Sequence, residues 1–189
     1  MPRLSLPETP TPEQAEVIAE VVAGKRGKVP GPMIGWLPNP ELARRAQHLG
    51  ALLRYDTSLE PVLSELAILI CGRHWTSHYE WTAHKRIALE AGLDPRTIAD
   101  VAERKPAPYL RNEREAAVFA VASTLMARTR IDDATYARGL AVLGERGMVD
   151  LVGILGYYSL VALTLNAFDL GLPDAFALEL DPPATGATP

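Results

Sequence analysis

Cysteine is nearly absent from this sequence: Cys71 stands alone among 189 residues. A single cysteine excludes an intrachain disulfide and leaves no second thiol to resolve an oxidised one. Cys71 lies in an apolar run, where a cysteine usually behaves as a small buried hydrophobe. Chemistry that needs two sulfur atoms in one chain is therefore excluded.

The sequence also lacks long runs of one charge, with 19 Lys and Arg against 23 Asp and Glu and a net charge of −4. This balance favours neither nucleic acid nor an anionic membrane as a partner. The first residues, MPRLSLPETPTPEQ, contain no apolar segment of the kind that a secretory signal needs. The apolar run Leu151–Leu165 is shorter than the roughly 20 residues of a membrane span. We therefore expect a cytoplasmic protein in which this run is a helix buried within or between subunits.

Alternating strand patterns and two-residue hairpin turns are missing as well, so we predict an all-α fold. Capping residues and prolines mark where helices start. The predicted helices begin near Thr11, Asn39, Pro61, Asp94, Asn112, Asp132 and Met148. The helix after Asp132 is expected to stop near Gly147, and the last one to run to about Leu170. Residues 24–38, rich in Pro and Gly, are expected to be an extended connector.

This pattern divides the chain into three parts. Residues 1–38 form an N-terminal helix and connector, residues 39–180 form one helical domain, and residues 181–189 form a Pro-rich tail that we expect to be disordered. At 189 residues the chain is long enough for a single well-buried domain.

The most informative stretch reads ELAILICGRHWTSHYEWTAHKRIALEAGL and contains Glu65, Ser77, Glu80 and His84. Spacings of three and four place side chains on one face of a helix, so Ser77, Glu80 and His84 should project together. A carboxylate and an imidazole beside an apolar segment are typical of acid–base sites.

This stretch resembles the carboxymuconolactone decarboxylase/alkylhydroperoxidase D superfamily, whose peroxidase branch carries E-x11-C-x2-C-x3-H. Ser77 and Glu80 stand where that branch has its two cysteines, and YEWTAH, ending at His84, resembles the cysteine-free branch with YEW-x-x-H. The likeness extends from about Gly31 to Gly171. It implies an all-α alkylhydroperoxidase D-like helical bundle that forms a homo-oligomer, a trimer or a hexamer. It also implies a small-molecule substrate, with no metal and no organic cofactor.

The resemblance implies a catalytic role for His84, supported by Glu65 and Glu80. His84 would donate a proton, while the two acids fix its tautomer and charge. The alternative for His84 is an ordinary local hydrogen bond, and for Glu65 it is a carboxylate in the first turns of a helix. Substrate-binding residues would be Ser77, Tyr79 and Trp81, although Ser77 is more readily explained as a space-filling residue and the two aromatics as core.

The function that follows is a carboxymuconolactone decarboxylase-like lyase acting on a small carboxylated or lactone substrate. Its carboxylate would be bound by Arg73, Lys85 or Arg86, or by a residue of another subunit. A thiol-dependent peroxidase is the first alternative, which would require Cys71 to be exposed and acidic. A non-catalytic oligomer that binds a small acid is the second.

Three further features are open to more than one interpretation. His74 and His78 could join Glu80 and His84 around a metal, but on a continuous helix the first pair would face away from the second. We therefore expect no metal site. Tyr157, Tyr158 and Asn166 on the last helix could line a pocket or only satisfy buried polar groups.

Overall fold

The computed structural model describes residues 2–25, 27–172 and 177–181, and every regular element in these ranges is a helix. The tail that the sequence predicts to be disordered, residues 181–189, lies outside the described residues except for Asp181. The elements are α1 (Pro12–Ala23), α2 (Gly31–Trp36), α3 (Pro40–Tyr55), α4 (Pro61–His74), α5 (His78–Glu90), α6 (Pro95–Ala102), α7 (Glu113–Arg128) and α8 (Asp133–Ala167).

Most helix starts lie at the capping residues that the sequence indicates. Thr11 and Gln14 form a reciprocal capping box, in which each side chain accepts a hydrogen bond from the other residue's backbone N–H. Asn39, Asn112 and Asp132 each accept a hydrogen bond from the backbone N–H three residues further on. These bonds satisfy N–H groups that a helix leaves unpaired in its first turn.

Residues 24–38 are not wholly extended, because α2 forms within them. Gly31 and Pro32 occupy the first turn of α2, where the missing N–H of proline costs nothing. Met33 and Trp36 are 0% and 3% exposed. The helix forms because it turns these two side chains into the core, where they pack against α8.

The predicted break near Gly147 is also wrong by three residues. The chain departs from helical geometry at Gly144, with φ 73° and ψ 172°, a conformation that glycine adopts without steric cost. Gly147 is instead buried inside the second part of α8, where a Cβ atom would lie 3.0 Å from Cβ of Leu143. The helix then ends at Ala167 rather than at Leu170.

The core is built around α4, whose residues from Leu63 to Arg73 are all buried. Helices α5, α6, α7 and α8 pack around it, so that no side of α4 faces solvent over these residues. Burial on all sides explains why its sequence is apolar without helical periodicity.

The long helix α8 is apolar and long enough to cross a bilayer by length and composition. In the protein, 56% of its most apolar 18-residue stretch is buried, in contacts with α2, α3, α4 and α7. Core helices of globular proteins have the same composition, and the prediction that residues 151–165 are packed within the protein is confirmed over one side of α8.

A short loop separates α4 from α5 and corrects the assumption of one continuous helix there. His74 ends α4, His78 begins α5, and Thr76 between them has a positive φ of 49°. Ser77 is the N-cap residue of α5 and is fully buried. The loop folds α5 back against α4, which brings the second half of the motif beside the first.

Candidate functional site

The packing of α5 against α4 joins two residues of the motif that lie 19 positions apart. Nδ1 of His84 is 2.7 Å from Oε2 of Glu65, and both residues are buried at about one twentieth of full exposure (6% and 5%). Because a carboxylate only accepts hydrogen bonds, the proton of this contact belongs to Nδ1. The carboxylate thereby fixes the imidazole's tautomer and orientation and leaves Nε2 as the ring's reactive atom.

Glu80 lies one helical turn before His84 and is 1% exposed. Burial raises the pKa of its carboxyl group well above the usual range, and the nearby charge of Glu65 raises it further. Among the described residues, no group forms a hydrogen bond with either carboxyl oxygen. Burial and the nearby Glu65 thus favour the neutral, protonated form of Glu80, which lies one helical turn from His84.

His84 and Glu80 line a small cavity of about 170 Å³ between α5, α8 and the segment around α2. Its walls are mostly apolar and aromatic, with basic residues among them. The lining residues are Lys28, Pro30, Pro32, Trp36, Arg54, Tyr79, Glu80, Ala83, His84, Arg86, Ile87, Tyr157, Tyr158 and Val161. At this volume the cavity is smaller than most ligand pockets, and the basic residues in its lining favour a small molecule that carries a negative charge.

Aromatic rings form one wall of the cavity. The Tyr158 ring meets the His84 ring edge to face, with centroids 4.9 Å apart, and Tyr157 meets Tyr158 in the same way at 5.3 Å. Burial raises the pKa of Tyr158 well above its usual range, so its phenol stays neutral. The two tyrosines therefore belong to the site, whereas Asn166 does not line it and donates to the carbonyl oxygen of Trp75.

Tyr79 is held at the cavity by a close contact with α2. Its hydroxyl oxygen accepts a hydrogen bond of 3.2 Å from the backbone N–H of Gly31. A Cβ atom at Gly31 would lie 2.7 Å from Cζ of Tyr79, so only glycine permits this approach. Tyr79, which the sequence predicts as a substrate-binding residue, lines the cavity, and its binding role stays a prediction.

Ser77 and Trp81, the other two predicted substrate-binding residues, do not line this cavity. Ser77 is completely buried, and its hydroxyl has no partner among the described residues. Trp81 is 1% exposed and donates from Nε1 to the Glu179 carboxylate at 3.4 Å. Ser77 is the N-cap residue of α5, directly before the helix that carries Glu80 and His84.

The cations proposed from the sequence are mostly engaged elsewhere. Arg73 donates to the carbonyl oxygen of Ala102, and Lys85 pairs with Glu179 at 2.5 Å. Arg86 does line the cavity, although its guanidinium pairs with Glu90 at 2.5 Å.

Two further cations of the cavity, Lys28 and Arg54, were missed by sequence reasoning. Arg54 lies in the last turn of α3, where a basic residue is already favoured by the helix dipole. That ordinary role hides its place at the site, and no spacing relates it to the motif.

The thiol of Cys71 is shielded within the core. Burial raises its pKa to about 12, the charge of Glu80 adds to the effect, and a hydrogen bond with Ser159 opposes it. The residue is 0% exposed. A buried thiol with this pKa is not a nucleophile at neutral pH.

Residues 40–124 match the model of the carboxymuconolactone decarboxylase family, while a search of the curated proteins finds no match. Among solved structures, the chain is similar to an alkylhydroperoxidase AhpD core, an uncharacterized peroxidase-related protein from Ralstonia eutropha JMP134. The identity is 18% and the TM-score 0.73, over 92% of this chain and 93% of that one.

Two other solved structures are also similar. An uncharacterized peroxidase-related protein from Silicibacter sp. TM1040 has 18% identity and a TM-score of 0.71, over 92% of each chain. A cysteine-to-alanine variant of the debrominase Bmp8, in complex with 2,3,4-tribromopyrrole, has 16% identity and a TM-score of 0.69, over 88% of each chain.

The fold and the motif define an all-α protein of the alkylhydroperoxidase D-like type, as the sequence predicts. Residues 40–124 thus resemble the carboxymuconolactone decarboxylase family, and the fold of the chain is similar to that of the alkylhydroperoxidase AhpD core.

Proposed function

We propose that the protein is a cofactor-independent lyase that decarboxylates a small, unsaturated carboxylate or lactone in the cavity lined by His84 and Glu80. The observation that carries this proposal is the buried 2.7 Å contact between His84 and Glu65 beside a carboxyl group that is held towards its neutral form. An imidazole oriented by one acid, next to a second acid that retains its proton, can deliver a proton without a thiol.

The chemistry requires one bond to break and one to form. The C–C bond to the substrate carboxylate breaks and releases CO2, and its electron pair passes into the conjugated ring carbonyl as a dienolate. The imidazolium form of His84 then donates the Nε2 proton to carbon and becomes neutral. Glu80 in its protonated form can restore that proton, so each CO2 released consumes one proton taken up from water.

Arg54 is the proposed partner of the substrate's carboxylate. It lines the same cavity from α3, and unlike Arg86 it has no carboxylate partner in an ion pair among the described residues. A guanidinium binds a carboxylate through two parallel hydrogen bonds, which would fix the substrate's orientation relative to His84.

The proposal can be tested with a panel of small unsaturated lactone carboxylates in D2O. We expect release of CO2 from at least one of them and incorporation of one deuterium atom at the carbon that carried the carboxylate. Glu65→Gln and His84→Ala should slow both events together. Release of CO2 from no member of the panel, or at the same rate in His84→Ala, would count against the proposal.

A thiol-dependent peroxidase is not favoured, because the condition set for it is not met. Cys71 is neither exposed nor acidic. The positions of the two redox cysteines hold Ser77 and Glu80, both of them buried. Bound substrate that is never transformed would instead support the alternative of a non-catalytic binding protein.

We also propose that the protein is a homo-oligomer, a trimer or a hexamer. The side of α8 that faces away from the core exposes large apolar residues, which a partner subunit would cover. These residues are Val149 (70% exposed), Val152 (53%), Leu160 (37%) and Leu163 (48%). Sedimentation of a monomer alone at micromolar concentration would overturn this part of the proposal.

A further inference from the structure

A second and larger cleft, of about 440 Å³, lies where the C-terminal ends of α4, α6 and α7 meet. It shares no lining residue with the cavity of His84 and Glu80. Its walls are formed by Ile70, Arg73, His74, Val101, Arg104, Lys105, Pro106, Phe119, Ser123, Thr124, Met126, Ala127 and Arg128. The proposed lyase makes no use of this space.

The formally charged side chains that line this cleft are all basic. The lining contains Arg73, Arg104, Lys105 and Arg128 and no Asp or Glu, on a chain whose net charge is −4. Clustered cations in a cleft with low-dielectric walls concentrate a positive potential there.

Two of the four cations, Arg73 and Arg104, have a structural role that leaves their charge uncompensated by an ion pair. Nε of Arg73 donates to the carbonyl oxygen of Ala102 (2.7 Å), and Nη2 of Arg104 donates to the carbonyl oxygen of Arg73 (3.0 Å). Arg73 thereby caps the C-terminal end of α6, and Arg104 caps the C-terminal end of α4. The remaining hydrogen bonds of Arg73 go to the Thr76 hydroxyl and the Asp181 carbonyl oxygen, so all of its bonded acceptors among the described residues are neutral.

The two guanidinium groups also repel each other. Burial lowers the pKa of Arg73, the charge of Arg104 lowers it further, and the Asp181 carboxylate opposes these effects. Burial and Arg104 likewise lower the pKa of His74, so this neighbouring imidazole stays neutral at pH 7 and can donate a hydrogen bond. An anion placed between these groups would relieve the repulsion.

The outer cations differ in how far they are engaged. Lys105 already pairs with Asp100 (2.6 Å) and Glu103 (3.1 Å). Arg128 is exposed at the end of α7, and among the described residues its guanidinium forms no hydrogen bond or ion pair. A helix C-terminus alone favours an arginine at this position, but it does not explain why four cations line the cleft without an acid.

Part of the cleft wall is apolar, formed by Ile70, Val101, Phe119 and Met126. Its volume falls in the range of pockets that hold small organic ligands, about 300–1,000 Å³. An inorganic anion would leave this wall in contact with water. Basic residues beside an apolar wall therefore favour a ligand with a negatively charged head and an apolar body.

We propose that this cleft is a separate binding site for a small amphiphilic carboxylate, whose head lies between Arg104 and Arg128 and whose apolar body lies against Phe119 and Val101. The site is independent of the proposed lyase reaction. The two guanidinium groups would bind the carboxylate head of the ligand. Burial of its apolar body against the cleft wall would supply the rest of the affinity.

The test uses calorimetric titration of the full chain with octanoate and with octan-1-ol, which has the same chain length and no charge. We expect one octanoate per chain and at least about fivefold weaker binding of octan-1-ol. Arg128→Ala should weaken octanoate binding about threefold, as expected for an exposed ion pair. Arg130→Ala is the matched control, since Arg130 is equally exposed, lies two residues further on and does not line the cleft.

Filling the cleft gives the sharper result. Ala127→Trp at the rim and Ser123→Trp deeper in the cleft should each lower octanoate affinity at least about tenfold, because the added indole takes the ligand's space. Two positions are used so that a variant that fails to fold, as judged by its circular dichroism melting curve, leaves the other. His84→Ala should leave octanoate affinity unchanged, which separates this cleft from the smaller cavity.

Four outcomes would overturn the proposal. Equal affinity for octan-1-ol would show that the cations do not recognise the ligand. If Arg130→Ala weakens octanoate binding as much as Arg128→Ala does, the effect comes from the overall charge of the protein and not from the cleft. Unchanged octanoate binding in a folded Ala127→Trp or Ser123→Trp variant, or no binding to the wild-type protein, would place no carboxylate site here.

Discussion

Nδ1 of His84 and Oε2 of Glu65 lie 2.7 Å apart in the buried interface between α4 and α5. The bond holds the ring with its Nδ1–H towards the acid, so Nε2 is the nitrogen available to a ligand in the cavity that His84 lines. Loss of either partner therefore has two effects, one on proton transfer and one on a buried polar group.

His84→Ala should lower turnover of a decarboxylated substrate about 100-fold or more, the usual contribution of a general acid. It should also lower the free energy of unfolding by about 1–3 kcal/mol, because Glu65 loses its partner. Turnover rates and urea unfolding give the two effects separately. His48→Ala is the control, since the His48 side chain is 63% exposed and lies on α3, outside the cavity.

Glu80→Gln should change how stability depends on pH. Burial, and then the nearby Glu65, raise the folded-state pKa of Glu80, so the unfolded chain loses this proton first as the pH rises above the ordinary carboxyl pKa of 4.5. The wild-type free energy of unfolding should therefore fall with pH until the folded carboxyl also ionises, while a neutral glutamine shows no such loss. As the pH rises, the Tm of the variant should therefore increase relative to that of the wild type, by about 2–4 °C for each kcal/mol of unfolding free energy that the wild type loses.

A Tm difference between Glu80→Gln and wild type that stays constant from pH 4 to pH 8 would contradict this assignment. So would a variant whose disadvantage grows with pH. Glu113→Gln offers a comparison on a surface carboxylate: a hydrogen bond from Arg138 lowers the pKa of Glu113, so this variant should not reproduce the pH trend.

Arg54→Met tests the proposed anchor for the substrate carboxylate. Methionine keeps much of the apolar stem and removes the charge, so the KM for an anionic substrate should rise about tenfold, equivalent to one lost charged hydrogen bond. Arg45→Met on the same helix is the matched control, because Arg45 pairs with Glu41 and its side chain is 78% exposed. An unchanged KM in Arg54→Met would assign the anchor to Arg86 or Lys28.

Cys71 should be unreactive in the folded protein. Its pKa of about 12 leaves almost no thiolate at pH 8, so a disulfide reagent should label it only in denaturant. Cys71→Ala should leave turnover unchanged and cost about 1 kcal/mol of stability through the small cavity it leaves. Rapid labelling of the native protein, or loss of turnover in Cys71→Ala, would restore a sulfur-based mechanism.

The sequence predicts much of this fold because the start of a helix is a local event. Thr11, Asn39 and Asp132 each reach a backbone N–H three residues further on, so the sequence itself contains both partners. The helix α2 was missed for the opposite reason. Gly31 and Pro32 indicate a loop by composition, and only burial of Met33 and Trp36 against distant parts of the chain favours the helix.

The candidate site divides in the same way. Glu80 and His84 share a face because they are four residues apart on one helix, and periodicity alone predicts this. The contact between His84 and Glu65 depends on the turn at Thr76, whose positive φ no spacing rule indicated. Arg54 comes from another helix altogether, so its place in the cavity follows only from the packed structure.

Two glycines of α8 give a matched pair that tests its bend. Gly144 has a positive φ of 73°, whereas Gly156 lies within the regular helix, and at both positions the space around a Cβ atom is open within 4 Å. Gly144→Ala should therefore cost about 1–3 kcal/mol of unfolding free energy through backbone strain alone. Gly156→Ala should add about 0.5–1 kcal/mol, because alanine favours the helix and meets no neighbour. Chemical unfolding of both variants at several protein concentrations measures these effects. If Gly156→Ala is destabilising instead, and lowers the association state as well, the exposed side of α8 must be covered by a second subunit at that glycine.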